Sequence, residues 1–142
     1  MKKYEIIEHT ADIGIDVYGR TIRELFHHSA EGMFEIKMGN TNSNTHGDFF
    51  HNFTLQGEDY ENLLVAWLSE LLYISETKQV ILTRIEIKRL SCRKIMTEVT
   101  GLKLNQTSKK IEREIKAVTY HGLEIKKDAL SGIWTVSIIL DI

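Results

Sequence analysis

The 142-residue chain has no proline and a single cysteine, Cys92. Without proline there is no rigid linker or SH3-type ligand, and nothing to interrupt long helices and strands. One thiol cannot close an internal disulfide, so a reducing cytoplasm is the expected compartment. Charge of one sign is also lacking. Eighteen Lys+Arg against 20 Asp+Glu leave a net −2, which excludes a basic coat for nucleic acid. No apolar run approaches the roughly 20 residues a membrane-spanning helix needs. The most apolar stretch, residues 133–142, is broken by Thr135, Ser137 and Asp141. Lys2 and Lys3 are followed by no apolar core, so no secretory signal is expected.

What is present is ordinary for a soluble globular protein: 42% apolar and 27% charged residues. The length suits one domain over residues 1–142. The small net charge hides an asymmetry. Residues 1–76 hold 5 Lys+Arg and 13 Asp+Glu, a net of −8, whereas residues 77–142 hold 13 and 7, a net of +6. Either the two halves present separate partner-facing surfaces, or strands of one half pair with strands of the other. Interleaving of charges in sheets favours the second expectation.

Apolar periodicity divides the chain into elements. Residues 4–8 and 13–19 read as strands, joined by a bend at His9-Thr10-Ala11-Asp12. Thr21-Ile22-Arg23-Glu24 fits a capping box, and Ile22, Leu25, Phe26, Ala30, Met33 and Phe34 follow at helical spacing. That helix is expected to run to about Lys37, with Gly39 as its stop. Residues 40–48 are polar and read as a loop, and residues 49–55 as a short strand. Gly57-Glu58-Asp59 opens a second helix whose buried stripe is Leu63, Leu64, Trp67, Leu68, Leu71 and Leu72. From Gln79 the period becomes two. Residues 80–90 and 94–104 form an expected hairpin turning at 91–93, followed by strands at 114–120, 123–126 and 133–140. The fold class is α+β: a mostly antiparallel β-sheet sandwich with two amphipathic helices.

Common catalytic signatures are missing. There is no phosphate-cradling G-x-x-x-x-G-K-[ST] or G-x-G-x-x-G, no H-E-x-x-H or C-x-x-C pair, and no G-x-S-x-G. His27 and His28 are adjacent and point about 100° apart on a helix. With His46 and His51 they read as solvated or capping residues. Cys92 lies among Lys88, Arg89, Arg93 and Lys94. That cationic cluster could favour a thiolate or contact phosphates, or simply guard a hairpin tip against aggregation.

Two places carry candidate chemistry. The chain closes on Asp141-Ile142, so a terminal α-carboxylate would sit beside the Asp141 side chain. Two acids without a cation repel, and hard cations collect several such oxygens. Asp12 could supply a third group, although spacing alone does not bring it near Asp141, and a frayed, solvated end is the plainer alternative. Lys116 lies in the predicted strand at 114–120, whose alternation sets Ile115 and Ala117 on one face and Lys116 and Val118 on the other. It is either a functional lysine or an outward strand charge. His9 and His121 fall beside these polar groups.

These residues belong to longer blocks: Glu8-His9-Thr10-Ala11-Asp12-Ile13-Gly14, Leu63-Leu64-x-x-Trp67-Leu68-x-Glu70-Leu71-Leu72, Glu114-Ile115-Lys116-Ala117-Val118-Thr119-Tyr120-His121 and the closing Asp141-Ile142. Together with Gly19-x-Thr21-x-x-Glu24-Leu25-Phe26 and Gly32-Met33-Phe34, and in this order from residue 4 onward, they resemble the archease family. The resemblance implies a small cytoplasmic accessory protein, not itself catalytic. Its partner would be the GTP- and manganese-dependent RNA ligase of tRNA splicing, whose guanylylation and multiple turnover it promotes. It implies a divalent cation, calcium, held by Asp12, Asp141 and Ile142, and a functional lysine at Lys116. RNA would be contacted only weakly or indirectly, and no membrane is involved. Two other roles stay open: a chaperone or RNA-binding modulator of tRNA-modifying enzymes, and a metal-dependent phosphoester hydrolase. The absence of a convincing general base speaks against the latter.

Overall fold

The computed structural model describes residues 1–39 and 47–142, and His46 with most of the expected polar loop lies outside them. The chain runs β1 (Tyr4–Glu8), β2 (Asp12–Gly19), α1 (Ile22–Met38), β3 (Phe49–Gln56) and α2 (Tyr60–Thr77). It continues through β4 (Val80–Leu90), β5 (Lys94–Lys103), β6 (Ala117–Thr119), β7 (Lys126–Lys127) and β8 (Trp134–Asp141).

Both helices start where a side chain can satisfy a free N–H. Thr21 Oγ1 accepts from the Glu24 N–H at 3.0 Å, and Glu24 Oε1 reaches back to the Arg20 N–H at 3.3 Å. Asp59 Oδ1 accepts from the Asn62 N–H at 2.7 Å. Gly39 ends α1 at φ 75°, a left-handed conformation that costs glycine nothing, and its N–H donates to the Glu35 carbonyl.

Two antiparallel sheets form. In the larger, β1, β2, β8 and β6 lie in that order, with β7 also paired to β8; in the smaller the order is β3-β5-β4. Each sheet takes strands from both halves of the chain, so the acidic and basic halves interleave as expected. The helices lie between the sheets. α1 rests on β2 and also touches β4, while α2 touches β6 and all three strands of the smaller sheet. The sandwich therefore has a helical filling.

One core joins these layers. Ile13, Ile15 and Val17 of β2 and Val136, Ile138 and Leu140 of β8 face the helices. Ile95 and Val99 of β5 approach from the other side. Trp67 sits at the centre, fully buried, with the Phe26 ring 5.6 Å away and its indole N–H donated to Thr97 Oγ1 at 2.8 Å. Burial of each such large side chain contributes about 1.5–3 kcal/mol. The buried Lys37 joins the helix ends, donating to Ser75 Oγ at 2.8 Å.

The β4–β5 hairpin turns where expected, with the Ser91 N–H donating to the Lys94 carbonyl. The following segments differ from expectation. The predicted strand at 114–120 contracts to the three residues of β6, and that at 123–126 to the two of β7. The Glu112 and Arg113 N–H groups both donate to the Lys37 carbonyl, which ties the chain to the end of α1 before it turns into β6. Ile115 and Val118 are consequently both buried, and the period-two alternation through Lys116 is lost.

Candidate functional site

The site begins with strand register. β2 and β8 pair so that Asp12 stands opposite Asp141, and β6 pairs on the far side of β8 so that Ala117 also stands opposite Asp141. Ile13 and Leu140, one step along, point into the core. The two aspartates must then share the outward face, because side chains alternate along a strand. Directly opposite residues have Cβ atoms about 4.5–5.5 Å apart. Ile142 packs against the core and holds the end of β8 in place.

The surrounding contacts are specific. The His9 N–H donates to the Asp12 carbonyl at 3.1 Å, closing a tight turn through Thr10 and Ala11. The Lys116 N–H donates to the Asp141 carbonyl at 2.7 Å, and Thr119 Oγ1 donates to Asp141 Oδ1 at 3.4 Å. The sequence reading gave Thr119 no role; the β6–β8 register brings it here. Arg113 Nη1 lies 3.3 Å from Glu8 Oε1, beside the same turn.

Five of the six candidate residues thus gather at one end of the larger sheet: His9, Asp12, Lys116, Asp141 and Ile142. His121 does not join them. It sits in a turn where Gly122 has φ 72°, past the end of β6 at Thr119, on the side of that strand away from the Ala117–Asp141 pair. Lys116 is exposed, and among the described residues its side chain makes no ion pair with either aspartate.

The donor set suits a hard cation. Like charges directly opposite one another on a sheet are destabilising, and a divalent ion relieves that repulsion. Among the described residues no three His, Cys, Asp or Glu side chains come together to hold a metal. Further ligands would therefore be the α-carboxylate of Ile142, in a chain ending there, or solvent.

The other histidines are elsewhere. His28 is buried, not solvated as its sequence suggested, with Nδ1 2.6 Å from the Tyr18 carbonyl. His27 points the other way, across α1, with Nδ1 3.0 Å from Glu31 Oε1 and Nε2 3.2 Å from the Ile85 carbonyl. These contacts line a cavity of about 950 Å³ between α1 and the free edge of β4, with Tyr4, Arg23, Phe34 and Arg84 among its walls. None of the six candidate residues lines it. His51 stacks between Phe49 and Phe53, and Cys92 is exposed in the hairpin turn.

Known proteins carry the same pattern from end to end. The model of the Archease protein family (MTH1598/TM1083) matches residues 4–142. The chain belongs to the archease family. Protein archease of Methanosarcina mazei is 37% identical over 145 residues, covering 99% of this chain and 97% of that protein. Protein archease of Pyrococcus abyssi is 33% identical, with both chains fully covered. The solution structure of Methanobacterium thermoautotrophicum protein 1598 superposes with a TM-score of 0.77 at 28% identity, covering all of both chains. The crystal structure of an archease from Thermotoga maritima, described as a possible chaperone, shares the fold with a TM-score of 0.67 at 21% identity. Three of the archease sequence blocks meet at the aspartates: the β1–β2 turn, the entry to β6 and the end of β8. No helix among the described residues is long and apolar enough to cross a membrane.

Proposed function

We propose that this protein is a non-catalytic activator of the GTP- and manganese-dependent RNA ligase of tRNA splicing, acting in the cytoplasm. The observation that carries the reading is the pairing of Asp12 with Asp141 at an exposed end of the larger sheet. Two carboxylates on a rigid antiparallel ladder, next to a tight turn, form a narrow acidic tip. Such a tip suits insertion into a cationic, metal-bearing cleft of a partner. There it can orient the partner's metals or nucleotide and thereby promote guanylylation and repeated turnover.

Asp12, Asp141 and the α-carboxylate of Ile142 would hold a divalent cation, calcium, whose charge offsets the repulsion among the acids and leaves the tip acidic. Lys116, whose backbone N–H is bonded to the Asp141 carbonyl, would use its ammonium to orient the acids or contact phosphate. His9 fixes the turn that presents Asp12.

The test is a guanylylation and multiple-turnover ligation assay with the cognate ligase. Wild-type protein is expected to stimulate both steps. Asp12→Ala and Asp141→Ala should return both to the unstimulated level while leaving the circular dichroism spectrum unchanged. Normal stimulation by either variant removes the acidic tip from the mechanism. Turnover of a phosphoester by the isolated protein would instead make it a hydrolase.

A further inference from the structure

We propose that the outer face of the smaller sheet binds a short single-stranded RNA segment, independently of the acidic tip on the other sheet. The inner face of β3, β5 and β4 is covered by the helices, whereas Phe50, Asn52, Thr54, Gln56, Arg89 and Lys94 of the outer face are exposed. Register defines its rows: Phe50–Thr100–Arg84, Asn52–Glu98–Glu86, Thr54–Met96–Arg89 and Gln56–Lys94, with the Cys92–Arg93 turn beyond. The first row lies six strand residues from the last, about 20 Å, a length that suits three or four extended nucleotides.

The chemistry differs from one end to the other. Phe50 is 60% exposed, an unusual state for a ring on a strand, and offers a flat apolar surface to one side. At the other end Arg89, Arg93 and Lys94 are exposed and make no ion pair among the described residues. The two carboxylates of the face, Glu86 and Glu98, are engaged by Arg84 and Lys88 at 3.2–3.6 Å. Asn52, Thr54 and Gln56 alternate between these ends on β3. A stacking platform at one end, free cations at the other and neutral hydrogen-bonding groups between them are elements with which sheets bind unpaired nucleic acid.

An acidic peptide fits less well. It would use the cations but leave Phe50 without a role. Strand addition at the β4 edge is obstructed, because Arg23 donates to the Ile87 carbonyl and His27 contacts the Ile85 carbonyl there.

The test is fluorescence anisotropy of a labelled single-stranded RNA of about 12 nucleotides with the full chain, across a salt series. Binding should weaken with salt with a log–log slope near −2, as expected for about three phosphate contacts on a single strand. Phe50→Ala should weaken binding about five- to a hundred-fold, and Phe50→Tyr should restore it. The triple charge reversal at Arg89, Arg93 and Lys94 should abolish binding. Reversal of Lys109 and Lys110, exposed elsewhere, should have little effect, and Asp12→Asn none. The proposal is overturned by no binding at micromolar protein. It is equally overturned by binding insensitive to Phe50, or by a poly-glutamate peptide that competes equally well against wild type and Phe50→Ala.

Discussion

Asp12 and Asp141 stand directly opposite one another across the β2–β8 ladder, although they lie near opposite ends of the sequence. Nothing on the sheet neutralises them. Thr119 donates one hydrogen bond to Asp141, and among the described residues no cation lies within ion-pair distance of either acid.

The pair should therefore cost stability until a cation arrives. Without divalent ions, Asp141→Asn is expected to leave stability unchanged or raise it by about 0.2–1 kcal/mol. Calcium at about a hundred times its dissociation constant should stabilise the wild type by about 2.7 kcal/mol and leave the variant unmoved. Calorimetric melting with and without calcium measures both. Equal calcium shifts in the two proteins would place the ion elsewhere.

Burial pushes the Lys37 amine below its ordinary value of 10.5, against the attraction of Glu76 at 3.6 Å. The folded state thus binds fewer protons than the unfolded one between the lowered value and 10.5, and stability should rise with pH across that window. Lys37→Met should flatten this rise without loss of the fold, since Ser75 Oγ still donates to the Leu72 carbonyl. Urea denaturation from about pH 8 upward reads the difference in slope.

His27 shows the opposite sign. Its hydrogen bond to Glu31 holds the imidazole above 6.5 against the opposing effect of partial burial, with the Glu31 charge and the Ile85 carbonyl adding to the rise and Lys3 weakly opposing it. Only the imidazolium can donate from both nitrogens at once. Its stabilising contribution is complete below 6.5 and fades as pH rises through the elevated value. Melting temperatures of wild type and His27→Gln should differ most in mild acid and converge in mild alkali.

Trp67 and Thr97 tie α2 to the smaller sheet at the centre of the core. Thr97→Val keeps the shape but leaves the indole N–H without an acceptor, at an expected cost of about 1–3 kcal/mol. Thr97→Ser should retain most of the stability. Equilibrium unfolding followed by tryptophan fluorescence separates the two.

Local signals in the sequence were good guides to local structure. Thr21 and Asp59 cap the helices because each can reach an N–H three residues on, and the stripe from Leu63 to Leu72 is buried as its spacing implies. The turn at 91–93 follows from the change of polarity there. The segment around Lys116 was misread because a tertiary bond overrides its pattern. Two N–H groups captured by the Lys37 carbonyl bend the chain before β6. The acidic pair needed more than residue spacing, since register between strands so far apart is a property of the whole sheet. Family resemblance supplied that proximity, while neither reading gave Thr119 a role, because its contact with Asp141 depends on the β6–β8 register.

β8 is an interior strand, bonded to β2 on one side and to β6 and β7 on the other. During synthesis β1 and β2 leave the ribosome early, yet they wait for residues 134–141 before their sheet can close. The helices and the smaller sheet involve only earlier residues and can consolidate first. The two aspartates therefore meet only once β8 has been made and has docked on β2. A chain cut before residue 141 would carry Asp12 without its partner acid, and β2 would lose the strand that holds it on that side.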